Sequence, residues 1–171
     1  MYNVGYLTVS EGLPHNYVDD VYRDSRGFLW IGLGGGGLSR YDGSEFINFN
    51  ITSADYPIVG NFAVEMAEDR FERLWVATEG GLCVLNLYTL AMEEIEDHTA
   101  ALYDVMHQPV WAVTVDAEGN VWTRSGSAVY RIRFDGAGAV EEILEYGGLP
   151  HPVGNVALCD VFGNGKIWTA I

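Results

Sequence analysis

The sequence predicts an all-β chain assembled as four-stranded antiparallel blades of a β-propeller, about three of them complete and a fourth truncated. Three observations predict it. The stretch at residues 24–42, DSRGFLWIGLGGGGLSRYD, returns in order as DRFERLWVATEGGLCVLNL (69–87) and DAEGNVWTRSGSAVYRIRF (116–134), and a last GNGKIWTAI closes the sequence. The tryptophans at the same place in each copy, Trp30, Trp75, Trp122 and Trp168, stand 45, 47 and 46 residues apart. Within each copy, apolar runs of strand length alternate with short links rich in Gly and Asp, which supply positive φ and side-chain bonds to the local backbone.

A short strand, YLTV at 6–9, is expected first, as an outer strand belonging to another blade, so that residues 1–17 form a leading strand and loop. Blade one then occupies 18–50, with strands at 18–22, 28–33, 38–41 and 45–49. Blade two occupies 51–97, with strands at 62–68, 73–77, 82–87 and 92–96. The last of these also fits a short helix, LAMEEIEDH, and the register of the repeat favours a strand. Blade three occupies 98–147, with strands at 110–115, 120–124, 128–134 and 139–145. The partial blade four, 148–171, has strands at 156–161 and 166–170 only. Such a set closes either as part of a longer ring or by association with a second copy, because an open blade edge invites aggregation.

Alignment on the tryptophans separates scaffold from exception. Twelve residues before them stand Val18, Ala63, Val110 and Val156, and nine before them Val21, Met66, Val113 and Cys159, small to medium apolar residues suited to a crowded innermost strand. Six before stand Asp24, Asp69, Asp116 and then Phe162, and three before Gly27, Glu72, Gly119 and Gly165. The resulting Asp-x-x-Gly is a hairpin turn, and it lacks the several oxygen ligands a calcium loop needs. The aligned tryptophans read as core between blades rather than as a sugar-stacking surface. Trp111 lies outside that register, at the start of an inner strand.

Composition narrows the partners. A net charge of −15 with a single lysine, Lys166, argues against nucleic acid and against direct contact with an anionic membrane. The acidic runs at 93–97 and 141–142 read as solvated outer strands guarded against edge pairing. Cys83 and Cys159 sit in apolar strand patterns and read as buried thiols. No basic, apolar leader opens the sequence, no run has the length of a membrane span, and no spacing points to a metal or cofactor.

Residues 12–43, GLPHNYVDDVYRDSRGFLWIGLGGGGLSRYDG, closely resemble the two-component regulator propeller repeat: Gly-Leu-Pro, an Asn soon after, Asp-x-x-Gly-x-x-Trp, then Gly-Gly-Leu and an aromatic-Asp turn. Unit two keeps Asn61, Asp69, Trp75 and Thr78-Glu79-Gly80-Gly81-Leu82, and unit four recovers Gly148-Leu149-Pro150. The resemblance implies a sensing role: such repeats form the periplasmic input region of hybrid two-component histidine kinases, which typically respond to oligosaccharides. It implies as partners a small-molecule or oligosaccharide ligand and further blades, of a longer sensor or of a second copy.

Ligand contacts are expected where loops reach a propeller's axial mouth: His15, Asn16 and Tyr17 in unit one, Asn61 in unit two, His107, Gln108 and Trp111 in unit three, and His151 and Asn155 in unit four. His98, beside the acidic run, reads as solvated. Arg124 is the sharpest departure, standing two residues past its tryptophan where the other units carry Gly32, Ala77 and Ala170. A cation there either projects toward a ligand, where its fork suits a carboxylate or sulfate, or pairs with an acid such as Glu79. No catalytic set emerges. A propeller lyase using His107 or His151 with Glu79 is the alternative from another class, and a purely structural module is a third. The Gly34–Gly37 run is followed by Leu38, not the Lys-Ser/Thr of a phosphate loop.

Overall fold

The computed structural model describes residues 5–95 and 100–147, and the backbone of a two-residue strand pair beyond them. The chain is all-β, with one short α-helix among the described residues. Blade one is a four-stranded antiparallel sheet in sequence order, β1 (Val18–Arg23), β2 (Leu29–Leu33), β3 (Gly37–Tyr41) and β4 (Phe46–Phe49). Blade two has β5 (Ala63–Glu68), β6 (Arg73–Thr78) and β7 (Gly81–Asn86). The helix α1 (Ala100–His107) follows, and then blade three, β8 (Val110–Val115), β9 (Val121–Ser125), β10 (Ala128–Phe134) and β11 (Val140–Tyr146). The pair β12 (Leu158–Cys159) and β13 (Trp168–Thr169) places Cys159 opposite Trp168. The rest of the expected blade four, with His151 and Asn155, lies outside the described residues, as does His98.

The Asp and the Trp of each repeat are two halves of one device. In all three blades the Asp carboxylate accepts the indole N–H six residues on: Trp30 to Asp24 at 2.8 Å, Trp75 to Asp69 at 2.8 Å, Trp122 to Asp116 at 2.7 Å. Its other oxygen accepts the backbone N–H four residues on, from Phe28, Arg73 and Asn120. The turn is thereby bonded to the ring it presents, and the indole's only polar atom is satisfied, with Trp30 and Trp75 fully buried and Trp122 half-buried. The turn itself needs a left-handed residue three before the tryptophan. Gly27 (φ 94°) and Gly119 (φ 83°) adopt it freely, whereas blade two forces Glu72 to φ 61°.

The first two tryptophans face the following blade. Trp30 packs with Leu74, Val76, Cys83 and Leu85 of blade two, and Trp75 with Val113, Ile132 and Phe134 of blade three. Polar links cross the same interfaces. On the inner strands, Met66 N–H donates to Asp20 and Val113 N–H to Glu65, each at 2.9 Å. On the turns, Arg26 donates to the Leu87 carbonyl and Arg70 to the carbonyls of Phe134 and Asp135.

Two expectations are corrected. No strand forms at 6–9, where Val9–Glu11 is a single 3-10 turn inside a capping box. Thr8 Oγ1 accepts from Ser10 N–H at 3.1 Å, and the Glu11 carboxylate accepts from Thr8 N–H at 2.7 Å, so local side-chain bonds outcompete a ladder that has no partner strand among the described residues. The fourth strand of blade two shrinks to one bridge, Leu85 with Met92, continued by Glu93 N–H donating to the Val84 carbonyl. Beyond it, α1 lays Leu102 and Val105 into the core shared by blades two and three. The described part of the LAMEEIEDH segment, residues 90–95, is not helical either, and the described helix is Ala100–His107.

A candidate ligand cavity at the propeller rim

The loops entering β1, β5 and β8 lie at the same end of the blades as the hairpins joining β2 to β3, β6 to β7 and β9 to β10, which follows from antiparallel pairing in sequence order. Each inner strand also carries a register break at the same repeat position, between Val18 and Asp20, Ala63 and Glu65, and Val110 and Ala112. The residues at the breaks are Asp19, Val64 and Trp111. A bulge re-aims the side chain it carries, and in blade three that side chain is an indole, 41% exposed.

Trp111 borders a cavity of about 440 Å³. Its other walls come from α1 and the loop after it (Asp104, Gln108, Pro109), from the β9–β10 hairpin (Ser125 to Ala128), and from Tyr130 and Glu145, which face each other across β10 and β11. The hairpin is tied down by Ser125 Oγ donating to the Pro109 carbonyl at 2.9 Å. The cavity thus joins an exposed aromatic face to hydroxyl, amide and carboxylate groups, the mixture that orients a polar ligand on an apolar platform.

The unit-one and unit-two candidates gather at another part of the rim and are used by the fold. His15 Nδ1 accepts from Tyr17 N–H at 3.1 Å, and Asn16 Oδ1 accepts from Val9 N–H at 3.0 Å. The glycine run serves as the floor on which they rest: a Cβ at Gly34 would lie 2.3 Å from the Tyr17 ring, and one at Gly36 2.8 Å from His15 Cβ. Asn61 accepts from Ile51 N–H through its side chain and from Gly35 and Gly37 N–H through its carbonyl. The Asn61 and Phe62 N–H groups both donate to Glu79, at 2.8 Å each, so this carboxylate closes a loop rather than standing ready as an acid. The His107 ring stacks on Tyr103 and bonds the Tyr103 carbonyl at 2.9 Å.

Arg124 is fully buried, with Nε donating to the Gly126 carbonyl. The slot differs sharply between blades. In blade one a Cβ at Gly32 would lie 2.3 Å from the Ala63 carbonyl oxygen, so no side chain fits, while blade three accommodates a whole guanidinium there. Sequence reasoning passed over Asp20, Glu65, Asp104, Tyr130 and Glu145. A signal existed for the first two, since ten residues before the tryptophan the units read Asp20, Glu65 and Ala112.

Burial pushes the Glu65 carboxyl up to about 7, with the Asp20 charge adding to the rise and the Val113 N–H opposing it. Asp20 is itself raised by burial, against the N–H groups of Val21 and Met66. At Asp116 burial works upward too, but Trp122, Asn120 and Glu118 donate to the carboxylate and hold it below the usual range. Burial drives the Cys83 thiol to about 12, which leaves it protonated and unreactive. Among the described residues, no three of His, Cys, Asp and Glu gather as a metal site, and no helix is long and apolar enough to cross a membrane.

Comparison with known proteins agrees with this architecture. Residues 12–35 match the family model described as "Two component regulator propeller". None of the curated proteins matches the chain. Among solved structures, it is similar to the extracellular domain of a putative hybrid two-component system from B. thetaiotaomicron, at 24% identity and a TM-score of 0.66, over 84% of this chain and 20% of that one. It is also similar to PorZ, a surface component of the type-IX secretion system of Porphyromonas gingivalis (20% identity, TM-score 0.61, 91% of this chain and 23% of that one). Virginiamycin B lyase from Staphylococcus aureus shares the fold more distantly, at 16% identity and a TM-score of 0.52, over 81% of this chain and 43% of that one. The chain thus spans about a fifth of the length of the two-component extracellular domain it matches.

Proposed function

We propose that the chain is part of the signal-input propeller of a two-component regulatory protein and that it binds a small ligand, an oligosaccharide, at the rim beside Trp111. The observation that carries this reading is the open cavity against an exposed indole, which blade three carries at the bulge of its inner strand. Indole faces stack on the apolar faces of sugar rings, while Gln108, Ser125 and Ser127 supply hydrogen bonds for hydroxyls. The match at residues 12–35 and the likeness to two-component extracellular domains support the sensor class and a periplasmic setting. In this reading the partners of the outer blades are further blades, from a longer chain or a second copy, and kinase output belongs to the parent protein.

Calorimetric titration of a panel of glycan fragments tests it, with Trp111→Ala and Arg124→Ala alongside. One fragment is expected to bind, weakened by about tenfold or more in Trp111→Ala through the lost stacking surface. Binding that survives Trp111→Ala unchanged would move the site elsewhere. Steady turnover of the fragment would replace a sensor with an enzyme.

A further inference from the structure

The cavity beside Trp111 has walls of one sign. Asp104 on α1 and Glu145 on β11 both line it, and none of its described lining residues is Lys, Arg or His. Tyr130, only 8% exposed, lines it as well and faces Glu145 across β10 and β11. Burial raises this phenol first, and the Glu145 and Asp104 charges then raise it further, so both carboxylates act on the same point of the cavity wall. A phenol hydroxyl on the wall of an open cavity is available to bond a ligand or solvent atom there.

The wall that supplies Asp104 and Gln108 is also the part of the chain that breaks the repeat. Neither blade one nor the described part of blade three has a helix at the position where α1 follows β7. Insertions into repeat folds collect on the binding face. This one brings a carboxylate and an amide to the rim next to the exposed indole.

We propose that the cavity takes a ligand presenting a primary ammonium group beside an apolar ring face, namely an amino sugar with its amine free; this rests on the ligand-binding reading above and narrows it. The ring stacks on Trp111, the ammonium lies between Asp104 and Glu145, and the Tyr130 oxygen accepts one of its N–H groups. A cation so placed gains from both carboxylates and from the indole face. An acidic sugar would meet two like charges there, and the Arg124 side chain, bonded to the Gly126 carbonyl behind the lining, is fully buried and does not itself line the cavity.

The test is titration of the 171-residue chain with a β-1,4-linked glucosamine trimer and with its fully N-acetylated counterpart, at low and high salt. The free-amine trimer is expected to bind at least about tenfold more tightly than the acetylated one, with affinity falling as salt rises. Glu145→Gln and Asp104→Asn are each expected to weaken it by about three- to tenfold while leaving thermal melting unchanged, since both side chains are exposed. Trp111→Ala is expected to weaken binding of either trimer by about tenfold or more. Equal affinity for the two trimers, with no effect of Glu145→Gln, overturns the ammonium assignment but leaves the Trp111 site standing if Trp111→Ala still weakens binding. Failure of both trimers also overturns it, and a neutral glycan weakened in Trp111→Ala would then preserve the broader reading. Binding of the amine trimer that Trp111→Ala does not disturb overturns both.

Discussion

The inner strands of blades one and two present nearly the same surface and meet opposite fates. Val21 and Met66 occupy the same repeat position, nine residues before their tryptophans, yet Val21 is 55% exposed and Met66 5%. Val113, third in the series, is 1% exposed. The difference is a neighbour: blade one covers Met66, blade two covers Val113, and no described residue covers Val21 in the same way. The backbone tells the same story. Met66 and Val113 donate to a carboxylate of the preceding blade, whereas Val21 N–H turns to its own Asp20 at 2.8 Å. A blade's stability is therefore held largely in its interfaces, as in any array where each unit contacts only its neighbours.

The largest effect should come from the Asp–Trp device where it is most enclosed. Asp69 serves Trp75, the N–H groups of Phe71 and Arg73, and a buried ion pair with Arg73 at 2.7 Å. The Arg73 guanidinium is further held by the Gly138 carbonyl and the Phe134 face in blade three. Asp69→Ala strands the guanidinium in the interface and is expected to cost about 3–5 kcal/mol, read as a fall in Tm of roughly 10 °C. Asp116→Ala, at a half-buried Trp122 with no arginine to strand, should cost about 2 kcal/mol. Equal losses for the two variants in thermal melting would refute the claim that enclosure sets the cost.

The second test acts on the exposed and covered faces directly. Met66→Asp places a carboxylate in a packed interface and is expected to cost about 3 kcal/mol or more. Val21→Asp, at the same repeat position, should stay within about 0.5 kcal/mol in the chain alone. If another blade docks on this face in solution, Val21→Asp instead lowers the assembled mass in light scattering while sparing the monomer's melt. A severe loss of monomer stability from Val21→Asp would show that the face is already covered.

The repeat was legible because scaffold is redundant: three copies of Asp, Trp and a glycine turn make register visible, and in blade three the strands fall within one residue of the pattern. What escaped was whatever the repeat does not repeat. The segment at 6–9 has strand-like residues, but Thr8 and Glu11 give its backbone a local alternative that only a capping-box reading would reveal. Helix α1 was hidden because the repeat's register filled that region with a strand and a link, although Leu102, Val105 and Met106 have helical spacing. The candidate site divides in the same way. Trp111 was visible as an exception, while Asp104, Tyr130 and Glu145 come from three separate segments that only folding brings together. Arg124 was conspicuous for its charge, and the structure places it in the interior.

The smallest expected effect concerns the carboxylates that join the inner strands. Glu65 is raised to about 7 in the folded chain, chiefly by burial, against an ordinary value of 4.5 in the unfolded one. Between these values the folded state holds more protons than the unfolded state, so stability falls as pH rises through this window and levels off above about 7. The side chain is partly solvated, and the change is therefore expected to be only about 1 kcal/mol. Glu65→Gln keeps an oxygen to accept from Val113 N–H and removes the charge, so it should flatten the profile, matching the parent near pH 4.5 and exceeding it at about pH 8. Asp20, raised in the same direction by burial, adds a contribution of the same sign. Denaturant melts of parent and variant from about pH 4.5 to about pH 8 read the difference. A variant less stable than the parent at the alkaline end would mean that the ionised carboxylate strengthens the link between blades two and three rather than burdening it.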